Sequence, residues 1–303
     1  MQVNFKLIIM NENNETSEYI TFPRTFEKYK WYKPILVLIL GLVIMVILQG
    51  IITVIFGGIY GWDIIISILN GGYEVLNTEM GEIFTDLGVI IMIPSLYLAS
   101  KIIKDRPFSS YASSRGGWNY KLYFKALVIP FIMYIIFGAI DFAIKGPEGT
   151  AHFSWTFLIL TLILVPLQCI AEEYVFRGLF MQTFGSWFKI PIVAVILQAI
   201  VFALCHAYNS LGIIEVFISG LFFGFITWKT NGIEVSSAIH TVNNFTISLF
   251  VMLGIQSSTS SPTLTDAVTS IVFLIILYIV IYYVGKKNRL VWRNQRIRLF
   301  QFE

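Results

Sequence analysis

Two adjacent glutamates and an arginine interrupt a segment that is otherwise apolar. Glu172, Glu173 and Arg177 lie within the run from about residue 153 to residue 184. Insertion scales put the cost of such a charge at a membrane helix centre at about 2.5 to 3.5 kcal/mol. Because helical residues advance about 100° each, Glu173 and Arg177, at i and i+4, share a face and can pair, whereas Glu172 points elsewhere. The spacing predicts one neutralised carboxylate and one that is free for chemistry.

Two of the three histidines also lie in apolar stretches. Asn244 follows His240 by four residues, and Phe202 precedes His206 by four, so each pair shares a helix face. One buried His or Asn is more often a hydrogen-bonding group between helices than a catalyst. Several costly polar side chains on neighbouring helices instead favour a functional site. The candidate set is Glu172, Glu173, Arg177, His206, His240 and Asn244.

Depth along the predicted helices supports only part of this set. Glu172 lies about 20 Å from the turn that follows its helix, and His206 lies about 24 Å beyond the far end of that turn. Adjacent antiparallel helices would bring these two side chains together. His240 lies only about 12 Å beyond Gly232, so its helix must tilt or begin later to join them.

The composition is that of a polytopic membrane protein. Hydrophobic residues make up 56% of the 303 residues and charged residues 13%, with a mean hydropathy of +0.75. The two cysteines, Cys169 and Cys205, fall in apolar stretches, where we interpret them as small buried hydrophobic residues. We therefore predict an all-α bundle of about eight transmembrane helices, each near the ~20 residues that a bilayer requires. The predicted spans are 34–58, 84–104, 122–144, 153–184, 190–208, 211–229, 233–254 and 268–285.

Three parts of the chain are predicted to have different roles. Residues 1–33 are interpreted as a cytosolic or interfacial tail that contacts the interface through Phe22, Trp31 and Tyr32. Residues 34–285 are predicted to form the membrane domain, with the candidate site residues in a core at about 150–255, and 286–303 are predicted to form a basic cytosolic tail. The fourth span is long, so we expect a kink at Pro166, a tilt or a protrusion. The apolar loop at 58–84 is predicted to be interfacial or re-entrant.

The positions of the basic residues predict the orientation. With eight spans, 20 of the 21 Lys and Arg residues fall on one side, and only Lys145 falls on the other. Both termini are therefore predicted to face the cytosol, in a cell membrane. The basic C-terminus is predicted to contact anionic lipid, and we predict no nucleic-acid partner.

The polar residues form three motifs in order on late helices. They are Glu-Glu-x-x-x-Arg at 172–177, Phe-x-x-x-His at 202–206 and His-x-x-x-Asn at 240–244. This order resembles the CPBP family, which includes type II CAAX prenyl endopeptidases and bacterial abortive-infection and bacteriocin-immunity relatives. The resemblance covers about residues 171–245.

The resemblance implies an intramembrane endopeptidase that cleaves a membrane-associated, prenylated or otherwise hydrophobic peptide. It also implies that Glu172 is the catalytic carboxylate. We expect Glu172 to act as general base on a water molecule that His206 orients. His240 and Asn244 would donate hydrogen bonds to the oxyanion, and the neighbouring glutamate–arginine pair would hold the helix face in place.

Two alternatives remain open. In the first, Glu172, His206 and His240 bind zinc, which lowers the pKa of a bound water to about 7. The chain lacks a His-Glu-x-x-His pair, and we favour the version without a metal or other cofactor. In the second, the protein is a non-catalytic immunity or scaffold protein that binds a bacteriocin or a partner helix. A secondary transporter would predict inverted repeats, which the sequence does not show.

Overall fold

The computed structural model describes residues 19–69, 79–206, 208–257 and 263–287, and these residues form helices with no β-strand. A 3₁₀-helix, Tyr19–Thr25, precedes the first α-helix, and a π-helix, Tyr174–Met181, follows the seventh. The α-helices are α1 Lys33–Tyr60, α2 Trp62–Leu69, α3 Glu79–Ile90, α4 Met92–Ile103, α5 Ser109–Ala112, α6 Tyr120–Lys145, α7 Trp155–Glu173, α8 Gln182–Phe188, α9 Pro191–Leu204, α10 Ser210–Thr230, α11 Glu234–Met252 and α12 Leu264–Lys287.

Every predicted span coincides with one or more helices, but not every helix has the length and hydropathy needed to cross a bilayer. Within the described residues, six are long and apolar enough: Lys33–Tyr60, Glu79–Ile103, Tyr120–Lys145, Trp155–Phe188, Ser210–Thr230 and Leu264–Gly285. The 14 residues of α9 reach only about 21 Å. The 19 residues of α11 include many polar side chains, which are buried in the bundle rather than facing lipid. The all-helical membrane architecture is confirmed; the count of eight spans and the cytosolic termini stay predictions.

The fourth predicted span is one helix of 34 residues, Trp155–Phe188. It runs through Pro166, which lies inside α7. Its departure from α-helical geometry comes later, in the π-helix that begins at Tyr174, directly after the two glutamates. Short π-helical stretches inside α-helices often occur at functional sites. The irregular turn therefore coincides with the first motif and not with the proline.

Part of the predicted N-terminal tail is packed into the protein. Tyr19 and Ile20 are fully buried, and the 3₁₀-helix lies against α8. Gly185 permits this contact because a Cβ at this position would lie 2.9 Å from the backbone carbon of Ile20. Phe22, which we expected to contact the membrane interface, is instead 3% exposed, whereas Trp31 is 65% exposed. The interface prediction was wrong for Phe22, because its ring is covered by the protein itself.

The start of α11 lies inside the protein. Its first residue, Glu234, is fully buried and accepts a hydrogen bond from Arg115 at 2.5 Å and one from the backbone N–H of Asn119 at 3.1 Å. The backbone N–H of Ile233 donates to the carbonyl of Ala112 at 2.9 Å. The segment between α4 and α6 therefore covers the beginning of α11.

α11 begins within one residue of its predicted start, so a later start does not resolve the predicted depth mismatch of His240. The mismatch is resolved because this start lies inside the protein, where His240 Nδ1 reaches Glu173 at 3.1 Å.

Two further predictions concern segments that are only partly described. Within the loop at 58–84, α2 packs through Ile65 against Phe56 and Phe84, while residues 70–78 lie outside the described residues. The prediction of an interfacial or re-entrant segment stays a prediction. In the basic C-terminal tail, residues 288–303 also lie outside the described residues.

Replacing Gly185 by Ala should detach the 3₁₀-helix from α8, because the added methyl group collides with the backbone of Ile20. Overpacking of this kind costs about 1–3 kcal/mol, so the melting temperature in detergent should fall. Gly50→Ala is the matched control, since a methyl group there meets no atom within 4 Å. Equal melting temperatures for the two variants would contradict the packing described here.

Candidate active site

An ion pair lies at the centre of the bundle. Arg177 Nη1 donates to Glu173 Oε1 at 2.8 Å, and both side chains are fully buried. The carboxylate also accepts hydrogen bonds from the Ser236 hydroxyl at 2.8 Å and from His240 Nδ1 at 3.1 Å. Both of its oxygens are therefore occupied. The predicted pairing of Glu173 with Arg177 is confirmed.

The guanidinium of Arg177 connects the first motif to α9 and α10. It lies over the ring of Phe202 on α9 at 4.3 Å and over that of Phe223 on α10 at 5.2 Å. Its Nη2 donates to the carbonyl of Gly220 at 3.4 Å. Aromatic faces attract cations, most strongly where water is excluded. One side chain thus connects four elements: the π-helix, α9, α10 and, through Glu173, α11.

Glu172 lies on a different face from Glu173 and is 7% exposed. Its Oε1 accepts a hydrogen bond from Gln168 Nε2 at 2.6 Å, one helical turn earlier. Its Oε2 has no hydrogen-bond partner among the described residues and lies 3.7 Å from His240 Nε2. The structure therefore separates two neighbouring carboxylates into one that is saturated and one with an available oxygen, as the helical spacing predicted.

The contact with Glu173 determines which nitrogen of His240 carries the proton. A carboxylate only accepts hydrogen bonds, so Nδ1 is the donor, and Nε2 of the neutral ring carries a lone pair. Nε2 lies toward Glu172 and 3.4 Å from Asn244 Nδ2. The ring also stacks on Phe223, with 5.0 Å between ring centroids. His240 Nε2 is therefore positioned to accept a hydrogen bond beside the free carboxylate oxygen of Glu172.

A chain of amide side chains completes this group. Asn244 Nδ2 lies 3.3 Å from Gln168 Oε1, and its Oδ1 accepts from Asn243 Nδ2 at 2.9 Å. Asn243 in turn accepts from the hydroxyl of Tyr134 on α6 at 2.8 Å. The shared face predicted for His240 and Asn244 is confirmed. Sequence reasoning missed Gln168, although a polar residue four positions before Glu172 in an apolar run was an available signal.

His206 lies just beyond the end of α9, and its Nδ1 is 2.8 Å from the carbonyl of Phe202. The Phe202 ring packs on His206, as predicted, with centroids 4.7 Å apart, and it also contacts the ring of His240 at 6.0 Å. One phenyl ring thus contacts both imidazoles. The ring of His206 also stacks on that of Tyr208, with 5.8 Å between ring centroids.

The residues do not form the zinc site considered from the sequence. Among the described residues, no group of three or more His, Cys, Asp or Glu side chains has the spacing needed to hold a metal ion. Glu172 and His240 face each other, but His206 directs Nδ1 at a backbone carbonyl and contacts Phe202. In the described arrangement these three side chains are not grouped as ligands, and the use or absence of a metal stays a prediction.

Small residues allow α9 and α10 to pack closely enough for these contacts. Gly220 and Gly224 form a Gly-x-x-x-Gly pair, and a Cβ at Gly220 would lie 3.1 Å from the Cα of Ala199. Such pairs let membrane helices approach each other closely. Gln198 uses the short distance to donate to the carbonyl of Gly220 at 2.7 Å. This motif was visible in the sequence but was not interpreted.

One protein family matches the segment of the chain that contains the candidate site. Residues 153–246 match the family described as type II CAAX prenyl endopeptidase Rce1-like. The matched segment, about a third of the chain, is similar to this family. The matched segment contains all six candidate residues, so the resemblance seen in the three motifs is confirmed. Together with its apolar helices, this match identifies the chain as an integral membrane protein.

Comparison with individual proteins adds a relative without an assigned activity. "Uncharacterized protein YyaK" of Bacillus subtilis (strain 168) is 31% identical over 175 residues. The alignment covers 54% of this chain and 58% of the Bacillus protein, so the chain spans somewhat more than half the length of that relative. No solved structure matches the chain.

Breaking the buried pair of Glu173 and Arg177 should destabilise the protein. In Arg177→Ala and Glu173→Gln, one partner keeps an uncompensated charge in the core, which costs about 3–5 kcal/mol. The measurement is thermal unfolding of the purified protein in detergent. Lys145→Ala is the control, because it removes a partly exposed pair with Asp266 (2.7 Å) and should cost at most about 1 kcal/mol. Similar losses for the buried and the exposed pair would refute the central role of Arg177.

Proposed function

We propose that this protein is an intramembrane endopeptidase in which Glu172 activates the attacking water. The observation that carries the proposal is the free Oε2 of Glu172, buried and 3.7 Å from the lone pair of His240 Nε2. A carboxylate oxygen without a hydrogen-bond partner in a bundle core is energetically costly, so its presence indicates a function. The match of residues 153–246 to an endopeptidase family indicates which function this is.

The geometry suits a single water molecule. One water oxygen can lie at about 2.8 Å from both Glu172 Oε2 and His240 Nε2, because these atoms are close enough together. In the reaction, the water oxygen attacks the carbonyl carbon of the peptide bond, and its proton passes to Glu172. When the C–N bond breaks, the same proton passes to the leaving amine, and Glu172 is regenerated as a carboxylate.

The oxyanion formed by this attack needs hydrogen-bond donors. Asn244 Nδ2 lies 3.4 Å from His240 Nε2 and is a neutral donor beside the Glu172–His240 pair. His240 itself donates from Nε2 only as the imidazolium, because its Nδ1 proton is engaged by Glu173. His206, across the Phe202 ring, orients the water or the substrate. This assignment differs from the role expected from the sequence: as a neutral ring, His240 accepts a hydrogen bond from the attacking water at Nε2 and does not donate to the oxyanion.

We propose that the reaction uses no metal or other cofactor. Support comes from the positions of the candidate ligands, since His206 does not join Glu172 and His240 in a group able to hold zinc. The remaining pair of side chains is sufficient to position water and to move its proton. Glu173 contributes by holding the tautomer of His240 that leaves Nε2 available.

The proposed substrate is a hydrophobic or lipidated peptide in a cell membrane. Apolar side chains cover the outside of the bundle. They include Ile200 and Leu204, which lie on α9 together with Phe202, the residue whose ring contacts His240. A substrate that already lies in the bilayer can approach such a surface without leaving lipid. The orientation with cytosolic termini, and contact of the basic C-terminal residues with anionic lipid, belong to the same proposal.

Replacing Glu172 by Gln should abolish peptide hydrolysis, with a loss of at least about 100-fold, because an amide cannot accept the proton of water. The assay is cleavage of a prenylated or hydrophobic peptide by purified protein in detergent or vesicles. Glu148→Gln makes the same change in a loop and should retain full activity. A Glu172→Gln variant that cleaves normally would rule out the mechanism, and survival of a binding function without hydrolysis would favour an immunity or scaffold role.

Prolonged treatment with a zinc chelator should leave peptidase activity unchanged if Glu172 and His240 act without a metal. Elemental analysis of the same active preparation should find less than stoichiometric zinc. A parallel sample of a known zinc peptidase checks that the chelator works under these conditions. Loss of activity that added zinc restores would replace the proposed mechanism by the metal-dependent one.

A further inference from the structure

A row of polar side chains runs along the interface between α3 and α7 and ends at Glu172. On α3, Glu79, Glu82 and Asp86 lie at i, i+3 and i+7, which places them on one face of the helix. On α7 and the residue before it, the spacing is seven, and these side chains likewise share one face. These residues are Ser154, directly before α7, and Thr161 and Gln168 on α7.

The two rows meet by direct hydrogen bonds. The Ser154 hydroxyl donates to Glu79 Oε1 at 2.5 Å, at the end of the bundle where both helices begin. Further along, the Thr161 hydroxyl donates to Glu82 Oε1 at 2.8 Å. Asp86 lies one turn beyond Glu82 on the same face of α3. Gln168, two turns beyond Thr161 on α7, donates to Glu172 Oε1 at 2.6 Å. The row is therefore continuous from the end of the bundle to the free carboxylate, and we call these seven residues, Glu172 included, the polar seam.

The polar seam is incompletely satisfied by protein atoms. Glu82 is 9% exposed, yet its Oε2 has no hydrogen-bond partner among the described residues, and the same holds for Asp86 Oδ2 and Glu172 Oε2. Buried carboxylate oxygens without a partner are rare because they lose their hydration without compensation. Three of them in sequence along one helix interface require a polar ligand small enough to fit between packed helices. Water meets both requirements.

We propose that the polar seam is the route by which water reaches Glu172. The inference rests on the proposed function in one respect: each peptide bond cleaved consumes one water molecule, and the carboxylate that activates it is buried in an apolar bundle. Glu82 and Asp86 hydrogen-bond the entering water, and Thr161 holds Glu82 in place. Two of the three carboxylates on α3 are thus assigned a role, although the helix lies outside the segment 153–246 that matches the family.

The first test measures access of water and does not depend on activity. Single cysteines are placed at positions 82, 85 and 86 in a Cys169→Ala, Cys205→Ala background and treated with a charged, membrane-impermeant thiol reagent. Glu82→Cys and Asp86→Cys should react, because thiolates form only where water enters. Thr85→Cys is the matched control: Thr85 is exposed on the outside of the bundle, a surface that we expect lipid to cover, and should not react. Labelling after denaturation confirms that all three thiols are intact.

The second test measures turnover. Asp86→Leu and Glu82→Leu should lower kcat by at least about tenfold and leave KM nearly unchanged, since water delivery and not peptide binding is impaired. Asp86→Asn and Glu82→Gln keep hydrogen-bonding groups and should retain most of the activity. Full activity in the leucine variants would overturn the proposal.

The two tests separate failure of the water route from failure of the proposed function. Cysteines at 82 and 86 that are as unreactive as Thr85→Cys, or a reactive Glu82→Cys with an unreactive Asp86→Cys, would overturn the route even if peptidase activity is present. Reactive cysteines at both positions in a protein without peptidase activity would support a hydrated seam and contradict the proposed function alone.

Discussion

The buried ion pair of Glu173 and Arg177 is the interaction on which the rest of the structure depends. A charge inside a bundle in lipid is tolerated only when it is paired, and here the pair is completed by groups from three further helices. Ser236 and His240 reach the carboxylate from α11, while Phe202 covers the guanidinium from α9. The helices that carry the second and third motifs therefore meet at the first.

This arrangement explains how two neighbouring glutamates acquire opposite properties. The residue that faces Arg177 has both oxygens occupied, and the residue before it, about 100° around the helix, keeps one oxygen free beside His240. The saturated glutamate also determines the tautomer of His240, and thus the lone pair that the free glutamate faces. Structural and chemical roles are divided between adjacent residues, but each depends on the other through one imidazole ring.

Much of the site was predictable because it follows from helical periodicity. The pairing of Glu173 with Arg177, the shared face of His240 and Asn244 and the packing of Phe202 on His206 are contacts four residues apart, which any helix imposes. The part that failed concerns long-range packing. Phe22 has the composition of an interfacial residue, yet it is buried, because its segment packs against α8.

The amino-acid sequence by itself determined that the chain is a helical membrane protein with three polar motifs, since apolar length and i, i+4 spacing are local properties. Only the tertiary structure decided which residues from different helices meet. It placed the start of α11 inside the bundle, directed His206 Nδ1 at the carbonyl of Phe202 and packed α3 against α7, the helix that carries Glu172. Helix offsets and rotations depend on close contacts between residues far apart in the chain, which periodicity does not encode.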